Sequence, residues 1–259
     1  MHIFDSRSDS RHDSGQEETV VLLHGANPVS YFDDLVEALV PQHRVIVPQL
    51  PGWGESPPLA ESQDFEVTDE ALRQALRDAG VARAAIVGYS LGGWRAMEIA
   101  LSEGFDVSGV YLLSTFTASP TPELRQMYRD YAELARSPAD LRPAVRDLYL
   151  PPDYAAAHPD IHEQVTDWVY ACPRDVFAQE LDAVATLPDL APRLPTLAAP
   201  VVARVGALDI AAPADWSRAI VDAVPNGRLE LVEGCGHALL YEDREATISS
   251  ILDHVSRWS

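Results

Sequence analysis

Short apolar runs and amphipathic segments alternate along the first 115 residues of the chain. Four mostly apolar runs have the length of buried strands: Thr19–Leu23, His43–Val47, Ala84–Val87 and Val107–Leu113. Three segments between the runs have helical spacing: Ser30–Val40, Val67–Gly80 and Leu91–Ser102. Regular alternation of strand and helix predicts a mostly parallel sheet flanked by helices, with right-handed crossovers.

This alternation stops after Thr115 and returns at Pro200. Residues 116–199 are rich in Pro, Tyr, Arg and Asp, and they contain helical pieces but no clear buried strand. Strand and helix then alternate again in four segments: Pro200–Val205, Pro213–Val224, Arg228–Val232 and Arg244–Trp258. We therefore predict an α/β core domain made of residues 1–115 and 200–259. Residues 116–199 are predicted to be inserted as a helical lid above the carboxyl ends of the strands, where α/β sheets bind ligands.

A candidate nucleophile lies between a predicted strand and a predicted helix. The segment Gly88-Tyr89-Ser90-Leu91-Gly92 matches the pattern G-x-S-x-G. In this context the pattern indicates a nucleophile elbow, a tight turn that exposes a serine hydroxyl above the sheet. The helix that begins at Leu91 directs its N-terminal amides toward the same point. Ser90 is therefore the predicted nucleophile. The alternative is a glycine-rich turn of a nucleotide-binding fold, but the chain has no G-x-G-x-x-G.

Serine needs a general base, and the base needs an orienting carboxylate. Of the eight histidines, His237 follows the last predicted strand, so it lies at the same edge of the sheet as Ser90. Asp209 follows the strand Pro200–Val205 at that edge as well. Ser, then Asp, then His is the chain order expected of α/β-hydrolases. The alternatives are a structural loop histidine and a turn or helix-capping aspartate.

The oxyanion formed during acyl transfer needs N–H donors. One predicted donor is the amide of Leu91, the residue after the nucleophile. The other is the amide of Ala26, in the loop His24-Gly25-Ala26-Asn27-Pro28 that follows the first buried strand. The Asn27 side chain is a weaker candidate in this loop. We expect His24 to brace the loop.

Candidate substrate contacts come mainly from aromatic side chains. Trp94 lies just past the predicted elbow, and Tyr128 and Trp168 belong to the predicted lid. Together with Asn27, these are the predicted substrate-binding residues. The alternative for each aromatic residue is that it packs the lid onto the core.

Composition excludes several other classes of chemistry. All 19 basic residues are Arg, so the chain has no lysine for a Schiff base and no P-loop. Two cysteines and the absence of H-E-x-x-H leave no recognisable zinc motif, and we expect neither metal nor cofactor. The net charge of −21 disfavours binding to nucleic acid or to anionic membranes. The expected partner is a small-molecule substrate, and the expected protein is cytoplasmic, as a monomer or homodimer.

The chain resembles the α/β-hydrolase superfamily, specifically the small lidded members related to esterases, lactonases and ring-cleavage-product hydrolases. Five matching pieces follow one another in the family's order: His24-Gly25, Pro51-Gly52-Trp53-Gly54-Glu55-Ser56, Gly88–Gly93, Gly206 to Pro213, and Gly234 to His237. The resemblance implies a mostly parallel eight-stranded sheet, a helical lid and no cofactor. Gln49 departs from the Asp that commonly precedes the second piece. The segment ahead of Thr19 is short, so the first strand or two are expected to be missing or reduced.

Three functions remain open at this point. The leading one is hydrolysis of a small carboxylic ester or lactone through an acyl-enzyme on Ser90. The second is hydrolysis of a carbon–carbon bond in a ring-cleavage product, although many enzymes resembling that subfamily carry Trp after the catalytic His, where this chain has Ala238. The third is a non-hydrolytic member or ligand receptor, which a complete triad disfavours.

Overall fold

One mostly parallel sheet runs through the centre of the fold. The computed structural model describes residues 1–8, 18–59, 64–117 and 121–258. Within these ranges seven strands pair in the order β1-β3-β2-β4-β5-β6-β7. They are β1 (Ile3–Asp5), β2 (Thr19–Leu23), β3 (Arg44–Pro48), β4 (Arg83–Tyr89), β5 (Asp106–Leu113), β6 (Val201–Gly206) and β7 (Gly227–Val232). All neighbouring pairs are parallel except β1 with β3.

The inner strands are apolar because helices cover both faces of the sheet. Every residue of β2 and β3 is buried, and Val20–Leu23 are at most 1% exposed. Six helices belong to this core: α1 (Asp33–Leu39), α2 (Phe65–Asp78), α3 (Leu91–Ala100), α9 (Ala214–Ala223), α10 (Leu239–Glu242) and α11 (Arg244–Trp258). Asp64 caps α2 by accepting the Val67 amide at 3.0 Å. The predicted fold class is confirmed.

A helical insertion occupies the chain between β5 and β6. Its helices are α4 (Pro122–Arg136), α5 (Arg142–Val145), α6 (Pro152–Ala157), α7 (Pro159–Thr166) and α8 (Arg174–Val184). Thr121 caps α4 through the Leu124 amide, and α4 packs along α8. The described part of residues 116–199 contains no strand, as its sequence pattern predicts.

The amino-terminal segment is reduced, as the short stretch ahead of Thr19 predicts. It contributes β1, a three-residue strand that pairs antiparallel with β3. The Asp5 carboxylate forms an ion pair with the buried Arg44 guanidinium, with Oδ2 and Nη2 2.6 Å apart, and this pair holds the edge strand in place. The resemblance to the family implies eight strands, whereas the described residues form seven. No helix in the described ranges has both the length and the apolar character needed to cross a bilayer.

Candidate active site

Ser90 lies in a strained turn between β4 and α3. Its φ of 53° and ψ of −121° place a non-glycine residue in a rarely occupied region. The Ser90 amide donates to the Leu113 carbonyl at 2.9 Å, and the Thr115 hydroxyl donates to the Ser90 carbonyl at 2.6 Å. A side chain at Gly92 would clash with the Leu23 carbonyl. The hydrogen bonds to Leu113 and Thr115 and the absence of a side chain at Gly92 together allow the strained conformation of Ser90.

Asp209 and His237 form a buried hydrogen-bonded pair at the carboxyl ends of β6 and β7. The Asp209 Oδ2 and His237 Nδ1 atoms are 2.8 Å apart, and both side chains are at most 2% exposed. The second oxygen, Oδ1, accepts the Ala211 amide at 2.9 Å and the Ala212 amide at 2.8 Å. Because an ionised carboxylate only accepts, this hydrogen bond requires the proton on Nδ1 when Asp209 is ionised, and a neutral imidazole then has no proton on Nε2.

A second carboxylate holds the backbone on both sides of His237. Glu242 accepts the Gly236 amide at 2.6 Å and the Ala238 amide at 2.9 Å. Burial raises the pKa of Glu242 to about 6. The Tyr149 carbonyl accepts the His237 amide at 2.9 Å. The sequence pattern did not indicate Glu242. The one feature that could have done so is an acid at the end of the short helix α10, which follows His237.

The loop after β2 is braced by its own side chains. Asn27 Oδ1 accepts the Gly25 amide at 2.8 Å, and Asn27 Nδ2 donates to the Pro28 carbonyl at 3.0 Å. His24 donates from Nδ1 to the Gly25 carbonyl at 2.8 Å and accepts the Leu50 amide at Nε2, at 3.0 Å. Burial lowers the pKa of His24 to about 4, so this imidazole is neutral at pH 7. Asn27 is thus a buried loop brace and not a substrate contact.

A cavity of about 390 Å³ joins the predicted catalytic residues to the insertion. Ser90 and His237 line it, as do Ala26 and Leu91, whose amides are the predicted oxyanion donors. Most of the remaining lining comes from α4, α5 and α8 and is apolar. Tyr128 is the one predicted aromatic contact that lies on this lining. The structure therefore brings four predicted catalytic residues and one predicted substrate contact to one space, with Asp209 directly behind His237.

The other two predicted aromatic contacts lie away from the cavity. Trp94 is 2% exposed and packs edge-on against Phe65, with ring centroids 5.3 Å apart. Trp168 is also 2% exposed and packs between Tyr31 and Tyr149, at 5.1 and 5.3 Å. Neither belongs to the cavity lining. Both tryptophans are therefore packing residues, and the prediction of substrate contact is corrected for each.

A buried charged cluster lies beside the cavity. Arg95 on α3 makes an ion pair with Asp69 on α2, and its Nη1 lies 3.1 Å from the Thr68 hydroxyl. Arg95 Nη2 lies 3.9 Å from Oε1 of Glu180 on α8. Burial raises the pKa of Glu180 to about 7, against the opposing effect of Arg95. Glu180 also lines the cavity, so it is a titratable group of the site that the sequence pattern did not indicate.

The family follows from the sequence match over most of the chain. Residues 20–249 match a family described as "Alpha/beta hydrolase family". The chain belongs to the α/β-hydrolase family. Curated relatives include two proteins named 2-hydroxy-6-oxononadienedioate/2-hydroxy-6-oxononatrienedioate hydrolase. The one from Cupriavidus pinatubonensis is 27% identical over 251 residues, with 91% of this chain and 86% of the relative covered. The one from Paraburkholderia xenovorans is 28% identical over 259 residues, with 94% and 89% covered.

Solved structures of other α/β-hydrolases share the whole architecture. A thermophilic esterase from Thermogutta terrifontis matches with a TM-score of 0.88 and 23% identity, covering 99% of this chain and 93% of its own. An enol-lactonase from Burkholderia xenovorans matches with a TM-score of 0.87 and 22% identity, covering 98% and 96%. Identities this low carry the fold alone. The family match and the names of the curated relatives confirm the prediction that the chain is a hydrolase.

Proposed function

We propose that this α/β-hydrolase cleaves an uncharged, largely apolar carboxylic ester or lactone through an acyl-enzyme on Ser90. The observation that supports this most directly is the joint position of Ser90 and His237 on one mainly apolar cavity, with Asp209 bonded to His237 at 2.8 Å. This arrangement supplies a nucleophile, a base and an orienting carboxylate. A small-molecule substrate is the partner that fits a space of about 390 Å³.

The proposed reaction has two halves. His237 Nε2 takes the proton from the Ser90 hydroxyl as its oxygen attacks the ester carbonyl, and the amides of Ala26 and Leu91 donate to the resulting oxyanion. His237 then returns the proton to the departing alkoxide. In the second half His237 takes a proton from water, which attacks the acyl-serine carbonyl. His237 then returns this proton to the Ser90 oxygen as the acyl–oxygen bond breaks and the carboxylic acid is released. Asp209 stabilises the imidazolium in both halves.

The proposal includes a lid function for the helical insertion. The helices α4, α5 and α8 supply most of the cavity wall away from Ser90. A wall of this kind excludes bulk water from the reacting centre and strengthens hydrogen bonds to the oxyanion. Substrate choice then depends on side chains of the insertion, while the catalytic residues stay on the sheet.

Carbon–carbon bond hydrolysis is the second candidate function, because curated relatives of similar length carry names of that kind. The substrate in those names is a dioate, which brings two carboxylates. Among the described residues that line the cavity there is no arginine, and Glu180 would oppose an anion there when it is ionised. Burying an unpaired carboxylate in such a space is costly. The charge of the cavity therefore favours a neutral ester or lactone.

The test combines active-site labelling with a matched pair of esters. A fluorophosphonate should label the wild-type protein at Ser90 and should fail to label Ser90→Ala. The protein should hydrolyse p-nitrophenyl hexanoate at least ten times more efficiently, by kcat/KM, than the p-nitrophenyl monoester of adipic acid, which has the same chain length and one carboxylate. Faster cleavage of the anionic ester, or of a ring-cleavage dioate, would instead support the second candidate. Absence of labelling would remove the serine mechanism.

A further inference from the structure

Three tyrosines line the cavity that Ser90 and His237 share. Tyr128 and Tyr131 lie three residues apart on α4, a spacing that places both on one face of the helix. Tyr149 follows α5 and lines the same cavity. The Tyr149 ring stacks on the His237 ring, with centroids 5.7 Å apart and an interplanar angle of 29°. The tyrosine cluster (Tyr128, Tyr131 and Tyr149) thus shares the cavity with His237, and Tyr149 contacts the His237 ring directly.

The hydroxyls of the tyrosine cluster are poorly satisfied by the protein. Neither the Tyr128 nor the Tyr149 hydroxyl makes a hydrogen bond to any residue that the structure describes. The Tyr131 hydroxyl has a single long contact, 3.4 Å to the Ala144 carbonyl. Water in the cavity can accept from these hydroxyls as long as no substrate is bound. A substrate that displaces this water must supply an acceptor, or it leaves the O–H donors unpaired at a cost in free energy.

The chemistry of that group follows from what surrounds it. Burial raises the pKa of Tyr149, and the nearby phenols of Tyr128 and Tyr131 act in the same direction, so Tyr149 stays protonated and able to donate. The only charged side chains on the described lining are Glu180 and, when protonated, His237. An anionic acceptor would lack a permanent cation, whereas a neutral carbonyl oxygen needs only the O–H donors.

We propose that Tyr128, Tyr131 and Tyr149 form a specificity subsite that binds a second, neutral carbonyl oxygen of the substrate, separate from the carbonyl that Ser90 attacks. This inference rests on the proposed ester or lactone hydrolysis and narrows its substrate class. The preferred substrates are esters or lactones that also carry a ketone or amide group within the apolar part of the acyl chain. Their binding satisfies hydroxyls that a plain hydrocarbon chain leaves unpaired, and this difference is the source of selectivity.

The test compares p-nitrophenyl octanoate with its 5-, 6- and 7-oxo analogues, which differ only in the second carbonyl and its position. The wild-type enzyme should prefer at least one keto ester over the octanoate by about tenfold in kcat/KM, the discrimination expected of one hydrogen bond. Tyr149→Phe and Tyr128→Phe should each remove most of this preference, mainly by raising KM for the keto ester. The preference is read within each variant as the ratio of kcat/KM for the keto ester to kcat/KM for the octanoate, so a general change in activity cancels.

Tyr154→Phe is the matched control. It removes a hydroxyl on the insertion that donates to the Tyr241 carbonyl at 2.8 Å and does not line the cavity, so the keto preference should persist. Melting temperatures of all variants identify any that fail to fold. A wild-type enzyme with no keto preference, or a preference unchanged in Tyr149→Phe, Tyr128→Phe and Tyr131→Phe, would overturn the inference.

A binding measurement tests the tyrosine subsite independently of the proposed hydrolysis. Calorimetric titration of Ser90→Ala with methyl octanoate and the methyl oxo-octanoates reports the same preference without turnover. Tighter binding of one keto ester supports the subsite even where hydrolysis fails, and equal binding contradicts it. Fluorophosphonate labelling and octanoate hydrolysis by the wild-type enzyme report on the serine mechanism alone.

Discussion

Asp209→Asn exchanges one acceptor of the Asp209–His237 pair for a donor. In the native protein Oδ1 accepts two amides, those of Ala211 and Ala212, while Oδ2 accepts His237 Nδ1–H. An asparagine has one acceptor oxygen and one NH₂ donor. Keeping both backbone hydrogen bonds requires the oxygen at the Oδ1 position, so the NH₂ group faces His237. The histidine must then accept at Nδ1 and carry its proton on Nε2, where it cannot take the proton of Ser90.

The size of the effect follows from this forced tautomer. Turning the amide around restores the acceptor for His237 but places NH₂ against two backbone N–H groups, each of which would be left without a partner in a buried site. Neither orientation preserves the native arrangement. We expect kcat to fall by about 10²- to 10⁴-fold, which corresponds to about 3–5 kcal/mol of transition-state stabilisation. Stability should change little, since the favoured orientation keeps both backbone hydrogen bonds.

The assay is steady-state hydrolysis of a p-nitrophenyl ester, paired with nitrogen-15 NMR of the histidine side chains. In Asp209→Asn the His237 resonances should report the Nε2–H tautomer, whereas the wild-type protein should show Nδ1–H. Asp215→Asn is the matched control, because Asp215 is an exposed acid in the first turn of α9 a few residues further on. A variant at position 209 with kcat within threefold of wild type, or with the proton still on Nδ1, would refute the reasoning.

Three further predictions concern Ser90, the half-buried Glu242 and the buried Glu180. Ser90→Ala should lower kcat by about 10³-fold or more with an unchanged circular dichroism spectrum, because the triad acts as a unit; near-normal turnover would contradict the serine mechanism. Glu242→Gln leaves one of its two backbone amides without an acceptor, so kcat should fall about tenfold by steady-state assay, while the exposed Glu245→Gln should match wild type. Burial raises the pKa of Glu180 from 4.5 to about 7, so the folded state retains a proton that the unfolded state releases. Its contribution to stability is complete below pH 4.5 and is lost as the pH rises through 7; unfolding measured from pH 4 to 8 should show a flatter dependence in Glu180→Gln, and an unchanged slope would contradict this assignment.

Much of the core could be predicted because the burial of its strands and helices follows a regular pattern along the chain. Strand β2 and helix α11 begin and end where the hydrophobic pattern places them, since β2 is buried on both faces and α11 is amphipathic. The positions of Ser90, Asp209 and His237 followed from a simple topological fact: the carboxyl ends of parallel strands meet at one edge of the sheet. Chain order and strand ends were therefore enough to indicate which side chains the fold gathers.

The substrate-facing residues could not be predicted in the same way. Trp94 and Trp168 have the size and apolar character of pocket residues, but the same properties also suit a packed interior, and both are 2% exposed. Asn27 has donors and an acceptor that fit an oxyanion loop, yet the nearest backbone groups of Gly25 and Pro28 use them. In each case the decision depends on which atoms come within a few ångströms, and sequence spacing carries no such distances.

The charged cluster beside the cavity could not be predicted from the sequence pattern. Asp69 and Arg95 lie on consecutive core helices and Glu180 lies on a helix of the insertion, and each alone resembles an ordinary charge on a solvated helix face. Folding buries all three side chains, and a buried guanidinium requires carboxylate partners because desolvation would otherwise be too costly. One partner, Asp69, comes from the core and the other, Glu180, comes from the insertion. Arg95 lies on α3, the helix that begins directly after Ser90. The contact between Arg95 and Glu180 therefore joins the insertion to α3 at the wall of the cavity.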